Sequence, residues 1–190
     1  MGGIFSKGYL PELPKGSMIK LGIIGLENSG KTTLLNKFVD SSSKKSIESV
    51  IVSMGLNMES IYYKGWEVFA GDLLYPNYIR KSYKPYLMAC DVVIFVVDSS
   101  DFLQISSAKE QIDLLLTENV IESSVFLVLA NKQDLKRRIA PVQLENYLEL
   151  YRLNIPWKCI PTSFDTEVGI EDSIKWILEN AMTRTVPIGL

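Results

Sequence analysis

The octapeptide GLENSGKT at residues 25–32 constrains this chain more than any other stretch. It has the spacing G-x-x-x-x-G-K-[ST], and it stands between a β-rich run, IKLGIIGL (19–26), and KTTLLNKFV (31–39), whose apolar residues recur at helical spacing. Strand, glycine turn and helix, in that order, are the context in which this spacing forms a phosphate-binding loop. Gly25 and Gly30 permit a tight backbone. The N–H groups of Leu26, Glu27, Asn28 and Ser29, with those of the helix start through Thr33, would receive phosphate oxygens, and Lys31 would reach the terminal phosphates. The Thr32 hydroxyl is a candidate Mg²⁺ ligand. The simpler reading, a glycine turn beside a solvated lysine, has to produce the whole pattern by chance.

The rest of the chain continues the alternation. LNMESIYY (56–63) and WEVFAG (66–71), separated by Lys64-Gly65, have the spacing of a β-hairpin. VVIFVVD (92–98) and VFLVLAN (125–131) are unbroken apolar runs, which suit strands covered on both faces, and each precedes a polar turn and a helical pattern. These units predict an α/β fold with an open, mainly parallel sheet, and in such sheets ligands sit at the carboxyl ends of strands. The polar stretch DSSSKKSIES (40–49) reads as a loop. A Gly/Pro-punctuated arm (1–17), one globular domain (18–185) and a short tail (186–190) are the expected divisions.

Composition excludes several classes of chemistry. The 190 residues contain no histidine, which removes Ser-His and Cys-His catalysis and leaves carboxylates, lysines and metals. Cys90 and Cys159 are too few and too far apart for a disulfide framework or a CxxC metal site, so a reducing compartment is expected. A formal charge of −2 gives no basic surplus for nucleic acid, and the run Lys136-Arg137-Arg138 reads as a solvated loop. The apolar runs are strand-length, too short to span a membrane.

NKQD (131–134), just after the strand VFLVLA, resembles the N-K-x-D guanine-selecting motif of small GTPases. The N1–H and 2-amino donors of guanine suit the two oxygens of Asp134, whereas adenine would leave that carboxylate unpaired. Asn131 would tie this loop to the phosphate loop, and Lys132 would lie along the base. PTSF (161–164) is similar to the T-S-A loop of the same proteins, whose N–H groups meet the guanine oxygen. Ser163 and Phe164 are its candidates, Phe164 standing in place of alanine with its N–H kept. Together with SMGLNME (53–59) and IFVVDSSD (94–101), these segments identify the chain as an Arf-like member of the Ras-type small GTPases, over nearly its whole length. The resemblance implies a three-layer G domain with a six-stranded sheet, GTP or GDP with Mg²⁺ as ligands, and a monomer with effector, exchange-factor and GAP partners. It places the chain in membrane trafficking, as a cytoplasmic protein peripheral to an intracellular membrane.

The first residues, Met1-Gly2-Gly3-Ile4-Phe5-Ser6, fit M-G-x-x-x-[ST] and make Gly2 a candidate for N-myristoylation. One acyl chain binds membrane only at about 10⁴ M⁻¹. Pro11 and Pro14 interrupt an amphipathic helix, so Ile4, Phe5, Tyr9 and Leu10 are the apolar residues expected to assist it.

The stretch FAGDLLYPNYI (69–79) departs from the family. Alignment from VVIFVVD keeps Asp72 on the aspartate that holds Mg²⁺ through water. It places Tyr75 on the glycine that meets the γ-phosphate and Pro76 on the water-positioning glutamine. Pro76 offers neither donor nor side-chain acceptor and restricts Tyr75 to extended backbone, so very slow hydrolysis is expected. Ser53 replaces the usual threonine at the other switch and keeps a hydroxyl for Mg²⁺. The aromatic effector triad of Arf-type proteins maps onto Leu56, Gly71 and Tyr86. Two functions stay open: a guanine-nucleotide switch with weak or GAP-dependent hydrolysis, and a pseudo-GTPase that holds nucleotide without toggling.

Overall fold

The computed structural model describes residues 8–39, 58–72 and 83–181. Ser53, Leu56 and the stretch Leu73 to Pro76 lie outside them, as do Gly2 and the 40–49 segment. Six strands form one sheet: β1 (Ile19–Gly25), β2 (Met58–Tyr63), β3 (Trp66–Asp72), β4 (Val92–Asp98), β5 (Val125–Asn131) and β6 (Trp157–Pro161), in the order β2-β3-β1-β4-β5-β6. All pairings are parallel except β2 with β3. That hairpin turns at Lys64 (φ 49°) and Gly65 (φ 90°), the doubly left-handed backbone that matches strand twist across a two-residue turn.

The unbroken apolar runs serve two cores at once. Successive strand side chains point to opposite faces, so Val92, Ile94 and Val96 enter one core while Val93, Phe95 and Val97 enter the other. β5 divides in the same way, Leu127 and Leu129 to the first and Phe126 and Val128 to the second. Helices α1 (Lys31–Phe38) and α5 (Ile170–Ala181) cover the first face through Leu34, Leu35, Phe38, Ile174 and Ile177. Helices α2 (Lys84–Met88), α3 (Phe102–Thr117) and α4 (Pro141–Tyr147) cover the second through Leu87, Ile105, Ile112, Leu115 and Leu144. Each fully buried aliphatic side chain adds about 1.5–3 kcal/mol. Both cysteines are free and buried, and burial pushes the Cys159 thiol up to about 12 and raises that of Cys90 as well.

Part of the arm belongs to the first core. Leu10 (0% exposed) and Leu13 are buried, and the Tyr9 and Leu10 N–H groups donate to the Lys37 and Phe38 carbonyls. The Trp66 indole donates to the Pro11 carbonyl at 2.8 Å. Tyr9 and Lys37 both donate to the Glu167 carboxylate, at 2.8 and 2.6 Å. The expectation that Leu10 assists a membrane anchor is therefore corrected: its side chain is committed to the core, because the backbone bonds to α1 leave it facing inward.

The parallel register sets the site. Gly25, the last residue of β1, stands beside Asp72 on one flank and Val96 on the other, and Asp98 stands opposite Asn131. β1 has partners reached by connections in opposite directions, so the carboxyl ends of β1, β4 and β5 open onto a crevice.

Candidate functional site

Helix α1 is preceded by Gly30 at its N-cap, which takes φ 109° and offers no side-chain cap; the first turn carries no acidic residue. Its leading N–H groups thus present a positive pole with no internal counter-charge. A Cβ on Gly30 would stand 2.6 Å from Asn131 Nδ2 and 3.0 Å from the Phe164 ring, so only glycine lets the phosphate loop approach both base-side loops this closely. Lys31 is buried, and its ammonium donates to the Leu26 carbonyl and to Ser29 Oγ at 3.3 Å. These two bonds hold the ammonium at the phosphate-loop end of the crevice.

Asn131 joins the two halves of the site. Its Nδ2 donates to the Ser29 carbonyl at 2.9 Å, and its Oδ1 accepts from Thr162 Oγ1 at 3.4 Å and from the Phe164 N–H at 3.3 Å. Lys132, at φ 64°, directs its ammonium to Asp98 Oδ2 at 2.6 Å. Asp98 Oδ1 accepts from the Ser100 N–H and hydroxyl at 2.9 and 2.6 Å. Burial alone would push this carboxyl up; the bonds from Lys132 and Ser100 outweigh that and hold it below the usual carboxylate range. The two base-side loops are also stitched by backbone, Gln133 N–H to Thr162 carbonyl and Thr162 N–H to Ala130 carbonyl, both 3.0 Å.

These elements enclose a cleft of about 470 Å³. Glu27, Asn28, Gly30, Lys31, Thr32 and Thr33 face it from the phosphate loop; Asn131, Lys132, Asp134 and Phe164 face it from the base side. Gly25, Leu26 and Ser29 stand outside this lining. Ser163 does too: its N–H donates to the Val168 carbonyl and its hydroxyl accepts from the Thr166 N–H. Asp72 stands beside Gly25 in the β1–β3 register. Asp98 and the cleft-facing Asp165 were missed from sequence, although Asp98 closes the run VVIFVVD just where a strand end meets the crevice.

The volume lies within the range of small-molecule sites. The donor set fits a nucleoside phosphate: an uncapped helix start and a buried lysine at one end, and the exposed Asp134 carboxylate at the other. Among the described residues, no group of three His, Cys, Asp or Glu side chains could hold a metal ion unaided. A divalent ion would share its coordination with phosphate oxygens and the Thr32 hydroxyl.

Such a sheet, with a phosphate loop after its central strand and an acidic N-K-x-D turn two strands away, defines a guanine-nucleotide-binding protein of the small-GTPase class. Residues 9–181 match the model of the ADP-ribosylation factor family, and the chain belongs to that family. It is 71% identical to ADP-ribosylation factor L of Dictyostelium discoideum over 184 residues, covering 97% of this chain and 94% of that protein. It is 36% identical to ADP-ribosylation factor F (86% and 85% covered) and 32% identical to ADP-ribosylation factor-like protein 2 (87% and 89%), both of the same organism. The chain is thus an Arf-family GTP-binding switch protein, a class that works through regulators and effectors. No helix among the described residues is long and apolar enough to cross a membrane.

Proposed function

We propose that the protein holds GDP or GTP with Mg²⁺, turns GTP over very slowly without a partner, and serves membrane trafficking at an intracellular membrane. The observation that carries the nucleotide reading is the Asn131 side chain, which bonds the Ser29 carbonyl of the phosphate loop and the base-side loop at the same time. In this reading the α1 N–H groups and Lys31 bind the β- and γ-phosphates. Asp134 accepts the guanine N1–H and 2-amino donors, and the Lys132 stem covers the base face. Thr32, Ser53 and Asp72 hold the Mg²⁺ shell, in which the ion offsets phosphate charge.

Slow turnover rests on Pro76 at the water-positioning place, since phosphoryl transfer depends on an oriented water and on charge stabilisation. An altered effector set is supported at Gly71. A Cβ there would lie 2.7 Å from Tyr83 Cε1, so the buried Tyr83 ring fills the space over the place where the family presents an aromatic. Tyr86 remains 41% exposed, edge-on to Phe69 at 6.2 Å. Gly2 acylation supplies the membrane contact.

The test is equilibrium titration of the full chain with GDP, a non-hydrolysable GTP analogue and ATP, with and without Mg²⁺, followed by single-turnover hydrolysis. Tight guanine-nucleotide binding with a conformational difference between the two forms is expected. Equal affinities without that difference would assign a non-toggling binding module, and a preference for ATP would overturn the guanine assignment.

A further inference from the structure

The loop 162–164 is held weakly by hydrogen bonds from its polar groups to Asn131. The two that reach Asn131 Oδ1, from Thr162 Oγ1 and the Phe164 N–H, are 3.4 and 3.3 Å, at the long edge of useful geometry. Beside the backbone bonds that link Thr162 to Ala130 and Gln133, the Phe164 side chain makes a further tie. It is 3% exposed, lies in the same apolar cluster as Leu34, Ile160, Ile170 and Ile174, and also faces the cleft. Its Cδ2 and Cε2 stand 3.0 and 3.2 Å from where a Cβ would project on Gly30, so the ring packs directly on the N-cap of the phosphate-binding helix. One ring therefore touches the core, the phosphate loop and the base-side loop. Its own N–H is the group that the guanine reading places on the base carbonyl oxygen.

We infer that Phe164 is a positioning residue whose ring braces the base-side loop against Gly30, and so sets how long a guanine nucleotide stays bound and how strongly guanine is preferred over adenine. This rests on the guanine-nucleotide reading above. A ring wedged in a close-packed interior transmits a displacement of either loop to the other. Removing it leaves a void that the loop can relax into, carrying the Phe164 N–H away from the base.

The experiment loads the full chain with N-methylanthraniloyl-GDP and chases it with excess GDP. Phe164→Ala is expected to release the nucleotide about tenfold faster or more, with Phe164→Leu between it and wild type. In competition with the same probe, the GDP-over-ADP preference of Phe164→Ala should fall. Ile174→Ala, in the same cluster on α5 but outside the cleft, should lower the Tm while leaving release within about twofold. Wild-type release from the Phe164 variants overturns the inference. So does an equal acceleration by Ile174→Ala, or faster release with an unchanged GDP-over-ADP ratio, since either makes Phe164 a structural residue only. If the Ala variant does not fold, the Leu variant decides: faster release supports the brace and wild-type release overturns it. Failure of the wild type to bind the probe would overturn the guanine reading instead, before any variant is compared.

Discussion

The Lys132 ammonium stands 2.6 Å from Asp98 Oδ2, which ties the residue expected along the base face to the end of strand β4. Lys132 sits at φ 64°, a backbone that a lysine rarely adopts, and the ion pair fixes the direction of its stem. Asp98→Asn leaves the shape and removes the charge. It is expected to cost about 1.5–3 kcal/mol, the range of a charge-assisted bond, and to speed GDP release in stopped-flow displacement. The folded carboxyl is held below its usual value, so the stability it contributes is present above about pH 4 and is lost only as pH falls through that depressed value. Wild-type release measured from about pH 5.5 to 8 should therefore show no transition from the Asp98 carboxyl.

The arm makes a second prediction. Leu10 is fully buried, and the N–H groups of Tyr9, Leu10 and Leu13 are bonded to the body. Leu10→Ala should destabilise the fold by about 2–5 kcal/mol through the lost transfer energy and the residual cavity. Urea unfolding followed by the intrinsic fluorescence of the three tryptophans, the buried Trp66 among them, would measure it. A change within about 0.5 kcal/mol, typical of surface sites, would show that the arm is not part of the core.

Most of the framework was legible because it depends on local pattern. Unbroken runs such as VVIFVVD imply two covered faces, and both β4 and β5 divide between two cores as that requires. The phosphate loop was legible because its spacing and its flanking strand and helix agree. What the chain does not announce is long-range: Leu10 reads as an exposed residue between a tyrosine and a proline until α1 and the hairpin offer it a groove. Tyr83 looks unremarkable until β3 brings Gly71 beneath its ring. Asp98 could have been suspected as a carboxylate ending an apolar strand, but its partner is thirty-odd residues away, across a β4–β5 register that no local pattern states.

Gly30 carries a third prediction. A methyl there would meet the Asn131 amide at 2.6 Å and the Phe164 ring at 3.0 Å, and φ 109° is strained for any L side chain. Gly30→Ala must displace either the phosphate loop or the Asn131 bridge. A loss of GDP affinity of about 100-fold or more is expected by titration calorimetry. Wild-type affinity would mean that the loop accommodates the methyl and that the close approach is not needed.

The last prediction concerns turnover. Asp72 ends β3 beside Gly25, so the carboxyl end of that strand reaches the phosphate side of the cleft. Tyr75 and Pro76 follow three and four residues later, outside the described residues, where the family has the glycine that meets the γ-phosphate and the glutamine that orients water. In the proposed reading, binding and hydrolysis draw on separate parts of the chain: the phosphate loop and NKQD for the first, the segment after Asp72 for the second. Tyr75→Gly with Pro76→Gln should leave GDP affinity within about twofold, because neither base nor β-phosphate contacts change. Single-turnover GTP hydrolysis should rise at least about tenfold, since a water-positioning group contributes roughly 10²–10⁴ where it acts as part of an intact site. Single substitutions should do less, because Pro76 alone restricts Tyr75, and glutamine without the glycine has no backbone to aim it. A wild-type rate already matching that of the double variant would show that water is positioned by other residues and that Pro76 does not limit turnover.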